Sequence, residues 1–420
     1  MKFLREIGLL TLMASILLLE LGCGDQYRPV ANPITSPGGQ PQLPHYAWVV
    51  NFNPNGAGST TEIDATGDTN LAVNTVGLGA IAEAFPGTTL ALFVANRDND
   101  TVSESFPTLS STITTISLTL GSRPVWVGSA QTNFMYVLNS TSAANSPCMG
   151  TGSISTIPVS SLAVSNTTCV GPNPVMLAQS SSDSFVYILN QGDGSISVFD
   201  PGGPSVTGTI TAQNGGLGPN PASVAASPDG KWIFVVTQGD ATHPPALDII
   251  SAGMTTVAGF VPLGVRPTFS LVDPTLNRLY VINAGDNTVS VFDASNVDPS
   301  GSTIPLQATV PVGTGPVGVT ALQDGSRFYV ANATSNDVTV VSANSFATLT
   351  TVPLPAGANP VWIASDPTSS KVYVADQGIS ATTIIQTSNN TVVGNIAAPP
   401  QVAGCTSSCA LQQPVMVLSR

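Results

Sequence analysis

The sequence predicts an all-β protein, a single β-propeller whose four-stranded antiparallel blades close into a ring of eight. Two motifs that recur together along the chain support this prediction, and so does the composition. Charged residues make up only 8% of the 420 residues, 42% are hydrophobic, and the chain holds 39 Gly and 34 Pro. Such a mixture favours strands and turns over long solvated helices.

The first motif is a short apolar strand that ends in a polar residue. It reads AWVVN, LFVAN, MYVLN, VYILN, IFVVT, LYVIN, FYVAN and VYVAD, and it ends at Asn51, Asn96, Asn139, Asn190, Thr237, Asn283, Asn332 and Asp376. Successive copies lie 43 to 51 residues apart. Eight copies of a β-type unit at this period are typical of a propeller, because each unit supplies one blade.

The second motif is a Pro followed by an alternating apolar strand, as in SRPVWVGSA and QQPVMVLSR. Its prolines are Pro124, Pro174, Pro221, Pro267, Pro316, Pro360 and Pro414. Pro is tolerated at the first residue of a strand, where the ladder needs no donor. Each unit therefore reads as strand A after the Pro, strand B ending in Asn, strand C such as TVSVFD, and strand D such as ATVPVG.

These units resemble the YVTN-type β-propeller repeat. RLYVINAGDNTVSVFD, RFYVANATSNDVTVV and GPNPASVAASPDGKWIFVV match its consecutive strands best, and the likeness covers about residues 47 to 420. The repeats are also loosely similar to those of propeller lactonases. The resemblance implies the propeller fold, whereas propellers host many unrelated activities and the fold alone implies none of them.

The way the ring closes follows from the first and last repeats. The repeats start on a strand B, AWVVN, and finish on a strand A, QPVMVLS. We therefore expect the C-terminal strand A to pair beside the N-terminal strand B, which makes eight blades. Seven blades is the alternative, because GLGAIAEAFPG at residues 77 to 87 lacks the Pro of strand A.

The N-terminus has the layout of a secretory signal. Lys2 and Arg5 precede the apolar run GLLTLMASILLL, and small residues follow it up to Cys23. This order predicts a signal peptide at residues 1 to 22, and the apolar run is too short to span a bilayer as a stable helix. LELGC resembles a bacterial lipoprotein box, which implies lipidation of Cys23, although Glu20 stands where the box usually has an apolar residue.

The predicted export determines the expected domain organisation and location. Residues 23 to 46 are Pro-rich and aperiodic, which predicts an extended tether ahead of a propeller over residues 47 to 420. We expect an exported lipoprotein at the outer membrane or cell surface, in contact with the membrane through its lipid only. A periplasmic or secreted protein is the alternative.

Four cysteines remain besides Cys23, and an even number in an oxidising compartment predicts disulfides. Cys148 is expected in a B–C loop and Cys169 near the end of the following strand D, which antiparallel geometry places at the same end of the blade. Cys405 and Cys409 share one D–A loop, and we expect them to pair as well. Their spacing matches no recognised zinc pattern, and the sequence indicates no metal and no cofactor.

The charge balance bears on the partners of the protein. The net charge is −13 at pH 7, and the 11 Lys and Arg residues form no cluster. A surface that neutralises phosphates is hard to build from so few scattered cations, so we expect no nucleic-acid partner.

All B–C and D–A loops should lie on one face of the ring, the face where propellers commonly bind ligands. Arg123 and Arg266 occupy equivalent D–A positions that should ring the mouth of the central channel, and His243 lies in a B–C loop. Two arginines there could grip a carboxylate or phosphate bidentately. The alternative is that they bond to loop carbonyls or pair with an Asp of a B–C loop.

Two further sets of residues have a structural explanation that competes with a functional one. Turn chemistry accounts for the aspartates of the B–C tips, Asp98, Asp100, Asp193, Asp286 and Asp337. Core packing accounts better than a stacking platform for the large apolar residues two positions after the strand-A Pro, Trp126, Met176, Phe269, Trp362 and Met416.

The functional prediction is a binding or protein-interaction module at the cell envelope. The expected partner is a small molecule, a glycan or a protein at the B–C and D–A face. A lactonase-like hydrolase and a structural surface-layer component are the alternatives. No catalytic residue is predicted, because no Ser, Cys or carboxylate lies at a readable spacing from either of the two His residues.

Overall fold

The computed structural model describes residues 45–86, 91–106, 113–129, 133–141, 148–179, 185–402 and 409–419. Within these ranges the chain forms 32 β-strands and one short 3-10 helix, Gln377–Ile379. The predicted signal peptide, Cys23 and nearly all of the predicted tether lie outside the described residues. In the described ranges, no helix has the length and apolar character that crossing a membrane requires.

The strands form eight sheets of four antiparallel strands each, and every sheet is one blade. The chain begins in blade 8, the closing blade, with β1 (Tyr46–Phe52), β2 (Ala57–Asp64) and β3 (Thr69–Leu78). Blades 1 to 3 follow with β4 (Ala80–Ala84), β5 (Leu92–Asn96), β6 (Thr101–Ser105), β7 (Thr114–Ser117), β8 (Pro124–Ser129), β9 (Phe134–Asn139), β10 (Gly152–Pro158), β11 (Asn166–Val170), β12 (Pro174–Gln179), β13 (Val186–Asn190), β14 (Ser195–Asp200) and β15 (Ser205–Ile210).

The second half of the ring repeats the same order. Blades 4 to 7 contain β16 (Pro221–Ala226), β17 (Trp232–Thr237), β18 (Ala246–Ser251), β19 (Val257–Pro262), β20 (Pro267–Asp273), β21 (Arg278–Asn283), β22 (Thr288–Asp293), β23 (Leu306–Pro311), β24 (Pro316–Ala321), β25 (Arg327–Asn332), β26 (Asp337–Ser342), β27 (Thr348–Pro353), β28 (Pro360–Ser365), β29 (Lys371–Asp376), β30 (Ala381–Gln386) and β31 (Thr391–Ala397). The last strand, β32 (Gln413–Ser419), completes blade 8.

Blade 8 joins the first and last strands of the chain. β32 pairs antiparallel with β1, so that Trp48 lies opposite Leu418 and Val49 lies opposite Val417. The predicted eight-bladed ring, closed by the C-terminal strand A beside the N-terminal strand B, is confirmed, and the alternative of seven blades is wrong.

The weakest of the predicted strands forms all the same. Ala80–Ala84 is strand A of blade 1, and Ala80 lies opposite Asn96 just as Pro174 lies opposite Asn190 in blade 3. Gly79 supplies the left-handed backbone, at φ +70°, that precedes this strand. The position before strand A and the pairing with strand B are therefore enough to start the strand without Pro.

Strands A and B lie side by side in each blade, and in six of the eight blades a buried Asn at the end of strand B bonds to strand C. In blade 3, Asn190 Nδ2 donates to the hydroxyls of Ser195 at 3.0 Å and Ser197 at 2.9 Å. Gly171, at the end of blade 2, packs on this Asn so closely that a Cβ there would lie 2.5 Å from Asn190 Cγ. The motif residue thus joins strands B and C and also packs against the end of the preceding blade.

The Tyr of the same motif reaches forward to the next blade. Tyr187 Oη accepts the N–H of Gly253 at 2.8 Å and donates to the carbonyl of Met254 at 3.2 Å. Tyr329 Oη donates to Asn390 Oδ1 at 2.7 Å. These partners lie in C–D turns, so the Tyr of the motif links blade 3 to blade 4 and blade 6 to blade 7.

The first residue of strand B makes a second contact of this kind. Arg278 donates to the carbonyl of Ala343 in the next blade, and Arg327 donates to the carbonyl of Thr387 at 2.6 Å. At the equivalent place in blade 7, Lys371 Nζ lies 2.6 Å from Asp68 Oδ2 of the closing blade. The side chains of this ion pair are only 9% and 16% exposed, so it ties blade 7 to blade 8 out of reach of most solvent.

The disulfide predicted between Cys148 and Cys169 is confirmed, with a Cα–Cα distance of 5.1 Å. Cys148 follows β9 in the B–C loop and Cys169 lies in β11, strand D of the same blade. Cys409 is disulfide-bonded as well, whereas its predicted partner Cys405 lies outside the described residues.

Candidate functional site

The strands A are innermost, because each contacts the strands A of the two neighbouring blades. They therefore surround the central channel, and the loops at their N-terminal ends form its mouth. The residue before strand A has a left-handed backbone, with φ between +48° and +70°, at Gly79, Arg123, Asn173, Asn220, Arg266, Gly315 and Asn359. This is the row of positions that the sequence places at the channel mouth.

Gly and Asn adopt this conformation readily, but Arg does not. At Arg123 and Arg266 the left-handed backbone costs about 1 kcal/mol relative to Gly or Asn. Both side chains are exposed on the B–C and D–A face. The conformation alone gives no reason for Arg at either position.

The tips of the B–C loops fix the mouth of the channel by bonding to D–A loops. Asp100 accepts the backbone N–H of Arg123 at 2.7 Å, and Asn287 accepts that of Gly315 at 2.9 Å. Asp286, beside Asn287, accepts the N–H of Val265 at 3.0 Å. Asp193 makes the predicted local turn bond, accepting the N–H of Ser195 at 3.2 Å, whereas Asp100 and Asp286 bond to D–A loops and so connect loops at the mouth.

The three predicted ligand-binding residues belong to three different blades. Arg123 Nη2 lies 3.8 Å from Asp98 Oδ1, a carboxylate of the B–C loop of blade 1, which also pairs with Arg97 at 2.9 Å. His243 lies in the B–C loop of blade 4, where its Nδ1 is 3.2 Å from Asp240 Oδ1 of the same turn. Arg123 thus makes the pairing with a B–C Asp that the sequence left open as an alternative.

Arg266 precedes strand A of blade 5, three blades from Arg123. Its backbone carbonyl accepts the N–H of Ala284 at 3.0 Å, and its side chain forms no ion pair with any residue of the described ranges. The described structure therefore does not gather Arg123, Arg266 and His243 around one carboxylate, which a lactonase-like centre would need.

A pocket of about 760 Å³ opens on the same face, between blades 3 and 4. Its walls are the B–C loop of blade 3 and the long D–A connection that leads to β16. The side chains that give it chemical character are four amides and one carboxylate, Gln191, Gln213, Asn220, Gln238 and Asp193. Pro219, Pro221 and Ala222 add an apolar part of the lining. We call this the amide pocket.

Some amides of the pocket have protein partners and others do not. Asn220 Nδ2 donates to the carbonyl of Gly239 at 2.8 Å, and Gln238 Nε2 donates to that of Pro267 at 3.0 Å. Gln191 and Gln213 are exposed, and within the described ranges their side chains make no hydrogen bond to protein. The pocket therefore presents two free amides beside two that are held in place.

Sequence reasoning missed the amide pocket. The D–A connection from Thr211 to Asn220 is longer than its counterparts before β12 or β20, and this extra length forms one wall. The signal was present in AQNGGLG, a Gly-rich insertion after strand D. The repeat period gives no sign of this insertion, because Pro174 and Pro221 lie 47 residues apart, within the range of the other repeats.

The carboxyls with the most perturbed acidity lie inside blades and not in the pocket. Burial raises the pKa of Glu62 and of Asp376 to about 7 and that of Asp248 to about 6. Burial also raises the pKa of Glu83 well above its ordinary value. These shifts follow from packing between strands, and in the described ranges no group of three His, Cys, Asp or Glu residues could hold a metal ion.

The comparisons with known proteins support the propeller fold and do not indicate a function. No protein-family model matches the chain, and no curated protein matches it. The likeness to the YVTN repeat therefore remains a resemblance.

Solved structures do match the chain. It is similar to the dihydro-heme d1 dehydrogenase NirN in complex with DHE, with a TM-score of 0.67, 9% identity, and coverage of 94% of this chain and 83% of that one. It is also similar to apo AztD from Citrobacter koseri, with a TM-score of 0.60, 14% identity, and coverage of 90% and 98%. A third match is Kuenenia stuttgartiensis hydrazine synthase, with a TM-score of 0.54, 21% identity, and coverage of 76% and 99%.

NirN and AztD are β-propeller proteins, which agrees with the observed fold. All three identities are low, so these likenesses show the fold alone. The neighbours have different roles, so their fold does not indicate the function of this protein.

Proposed function

We propose that this protein is an exported, lipid-anchored propeller that binds a neutral, hydroxyl-rich ligand, a glycan, in the amide pocket. The observation that carries the proposal is the pocket's chemistry. Amide side chains both donate and accept hydrogen bonds, as sugar hydroxyls do, and Asp193 adds an acceptor. No Lys, Arg or His is among the residues that line it, so a neutral ligand fits better than an anion.

The size and the surroundings of the pocket agree with this proposal. A volume of about 760 Å³ lies within the range of pockets that bind small ligands. Arg123, Arg266 and His243 lie on the same face but outside the pocket's lining. In this proposal they contact parts of a longer ligand that extend across the channel mouth.

Glycan binding can be tested with the purified protein on a glycan array, followed by calorimetry with the best ligand. Replacing Gln191 and Gln213 together with Ala is expected to weaken binding at least tenfold, because both free amides are lost. The matched control is Gln307→Ala, at an exposed position of strand D in blade 5, which should bind like wild type. Absence of binding to any glycan, or equal binding by the double variant, would overturn the proposal.

The export part of the proposal has separate support, and the lipid anchor is proposed from the resemblance of LELGC to a lipoprotein box. Cys148 and Cys169 form a disulfide, and such bonds persist in oxidising compartments outside the cytosol. We expect the mature protein to begin at a lipid-modified Cys23 and to sediment with membranes, whereas Cys23→Ser should release it. Mass spectrometry of the N-terminal peptide checks this directly, and an unmodified N-terminus at another residue would contradict it.

A further inference from the structure

The central channel contains a second cavity, which is apolar and distinct from the amide pocket. It has a volume of about 230 Å³ and is lined by the strands A of blades 5, 6, 7 and 8. Phe269, Leu271, Trp362 and Leu418 contribute its large side chains, and all four are only half-buried although they belong to the innermost strands. Apolar side chains that remain accessible inside a concave site are typical of a ligand-binding cavity.

The cavity exists because one blade lacks the large side chain that its neighbours carry. The position two residues after the strand-A Pro is Phe269 in blade 5 and Trp362 in blade 7, but it is Gly318 in blade 6. The rings of Phe269 and Trp362 meet edge to face across this gap, with 5.7 Å between their centroids. Space that a side chain of blade 6 would otherwise occupy is therefore left beside the two rings.

The polar groups at the cavity already have protein partners. Thr320 Oγ1 is 3.1 Å from Ser365 Oγ, which donates in turn to the carbonyl of Ala321 at 2.7 Å. Ser419 Oγ donates to the carbonyl of Ser365. No Asp, Glu, Lys, Arg or His is among the residues that line the cavity. A charged or strongly polar ligand would lose its hydration there without gaining a partner.

We propose that this channel cavity binds a small uncharged apolar molecule, one aromatic or alicyclic ring in size, against Phe269 and Trp362. An apolar cavity of about 150 Å³ is enough to hold benzene in another protein, so the present volume accommodates one such ring with a short substituent. Edge-to-face contact with two aromatic rings favours a flat apolar ligand. This site lies in the channel and does not depend on glycan binding.

The test uses benzene as the probe and the purified full-length protein. Benzene should raise the melting temperature of the wild type, and crystals exposed to its vapour should show one ring beside Phe269 and Trp362. Gly318→Met should fill the gap and reduce benzene affinity at least tenfold. The matched control is Gly394→Met, because Gly394 lies in outer strand β31 and a Cβ there would meet nothing within 4 Å.

A Cβ at Gly318 would lie 3.1 Å from Ile363 Cγ2, so the Met variant carries some strain of its own. Ala364→Leu therefore serves as a second variant that fills the same cavity from blade 7. Three results would overturn the proposal: no thermal shift of the wild type, benzene bound elsewhere in the crystal, or unchanged affinity in both filled variants. Because the glycan assay uses different residues, failure of either proposal can be recognised separately.

Discussion

Replacing Asp376 with Asn is expected to stabilise the protein at pH 8 by up to about 4 kcal/mol and to change its stability little at pH 4. Asp376 stands where six blades have the buried Asn at the end of strand B, and it is fully buried. Burial raises its pKa to about 7, while the bond from the Thr383 hydroxyl acts in the opposite direction. One of its carboxyl oxygens, Oδ1, has no hydrogen-bond partner.

The sign of the effect follows from the raised pKa. A carboxyl whose pKa is higher in the folded state favours folding only while it is protonated, so its contribution is lost as the pH rises from about 4 to about 7. Asn cannot ionise, and the variant should lack this part of the pH dependence. Urea denaturation at pH 4, 6 and 8 measures the difference between the two proteins.

Asn283→Asp is the matched reverse change. Asn283 occupies the same place in blade 5 and donates to the hydroxyls of Thr288 and Ser290, both at 3.0 Å. This variant should be destabilised more at pH 8 than at pH 4. If the stability of the wild type and of Asp376→Asn depended on pH in the same way, the buried carboxyl would not be a source of the pH dependence of folding.

The second large effect is expected at the ion pair between blades 7 and 8. Lys371→Met should destabilise the protein by about 3–5 kcal/mol, because removing one partner leaves the other charge buried and unpaired. Asp68→Asn should have a similar effect, and Asn tolerates the left-handed backbone of this position, where φ is +53°. Chemical denaturation of both single variants and of the double variant measures the coupling between the two side chains.

Lys231→Met provides the control for this prediction. Lys231 pairs with Asp229 at 3.3 Å, but the two side chains are 72% and 42% exposed. Its loss should change the free energy of unfolding by less than about 1 kcal/mol, as is usual for surface pairs. If Lys371→Met lowered the free energy of unfolding no more than Lys231→Met does, the ion pair between blades 7 and 8 would stabilise the ring no more than a surface pair.

The fold could be predicted from the sequence because the blades repeat the same pattern of strands and of the residues that join them. The strand-A Pro, the strand-B Asn and the hydroxyls of strand C recur in most blades, with strand-B ends 43 to 51 residues apart, and their contacts in the structure explain the repeat. Blade 1 departs from the repeat at the start of strand A, where Ala80 replaces Pro. It forms because Gly79 and the pairing with Asn96 preserve the backbone that the other blades use.

The sites could not be predicted in the same way, because they arise where the repeat is broken. The amide pocket depends on the inserted residues between β15 and β16, and the channel cavity depends on the missing side chain at Gly318. Small residues also occupy the Gly318 position in blades 1 and 4, as Ala82 and Ser223, so a small residue there does not by itself predict a cavity. Arg123 and Arg266 did stand out as exceptions within a repeated row, but the sequence cannot show which neighbours their side chains reach.

The closing blade also determines the order in which the chain can fold. Most strands pair with a neighbour only a few residues away, whereas Trp48 and Leu418 meet across nearly the whole chain. Loop-closure entropy grows slowly with length, at about 0.6 kcal/mol for each doubling, so this one contact costs about 3 kcal/mol more than a tight hairpin does. We therefore expect seven blades to assemble locally and the ring to close in a final, slower step.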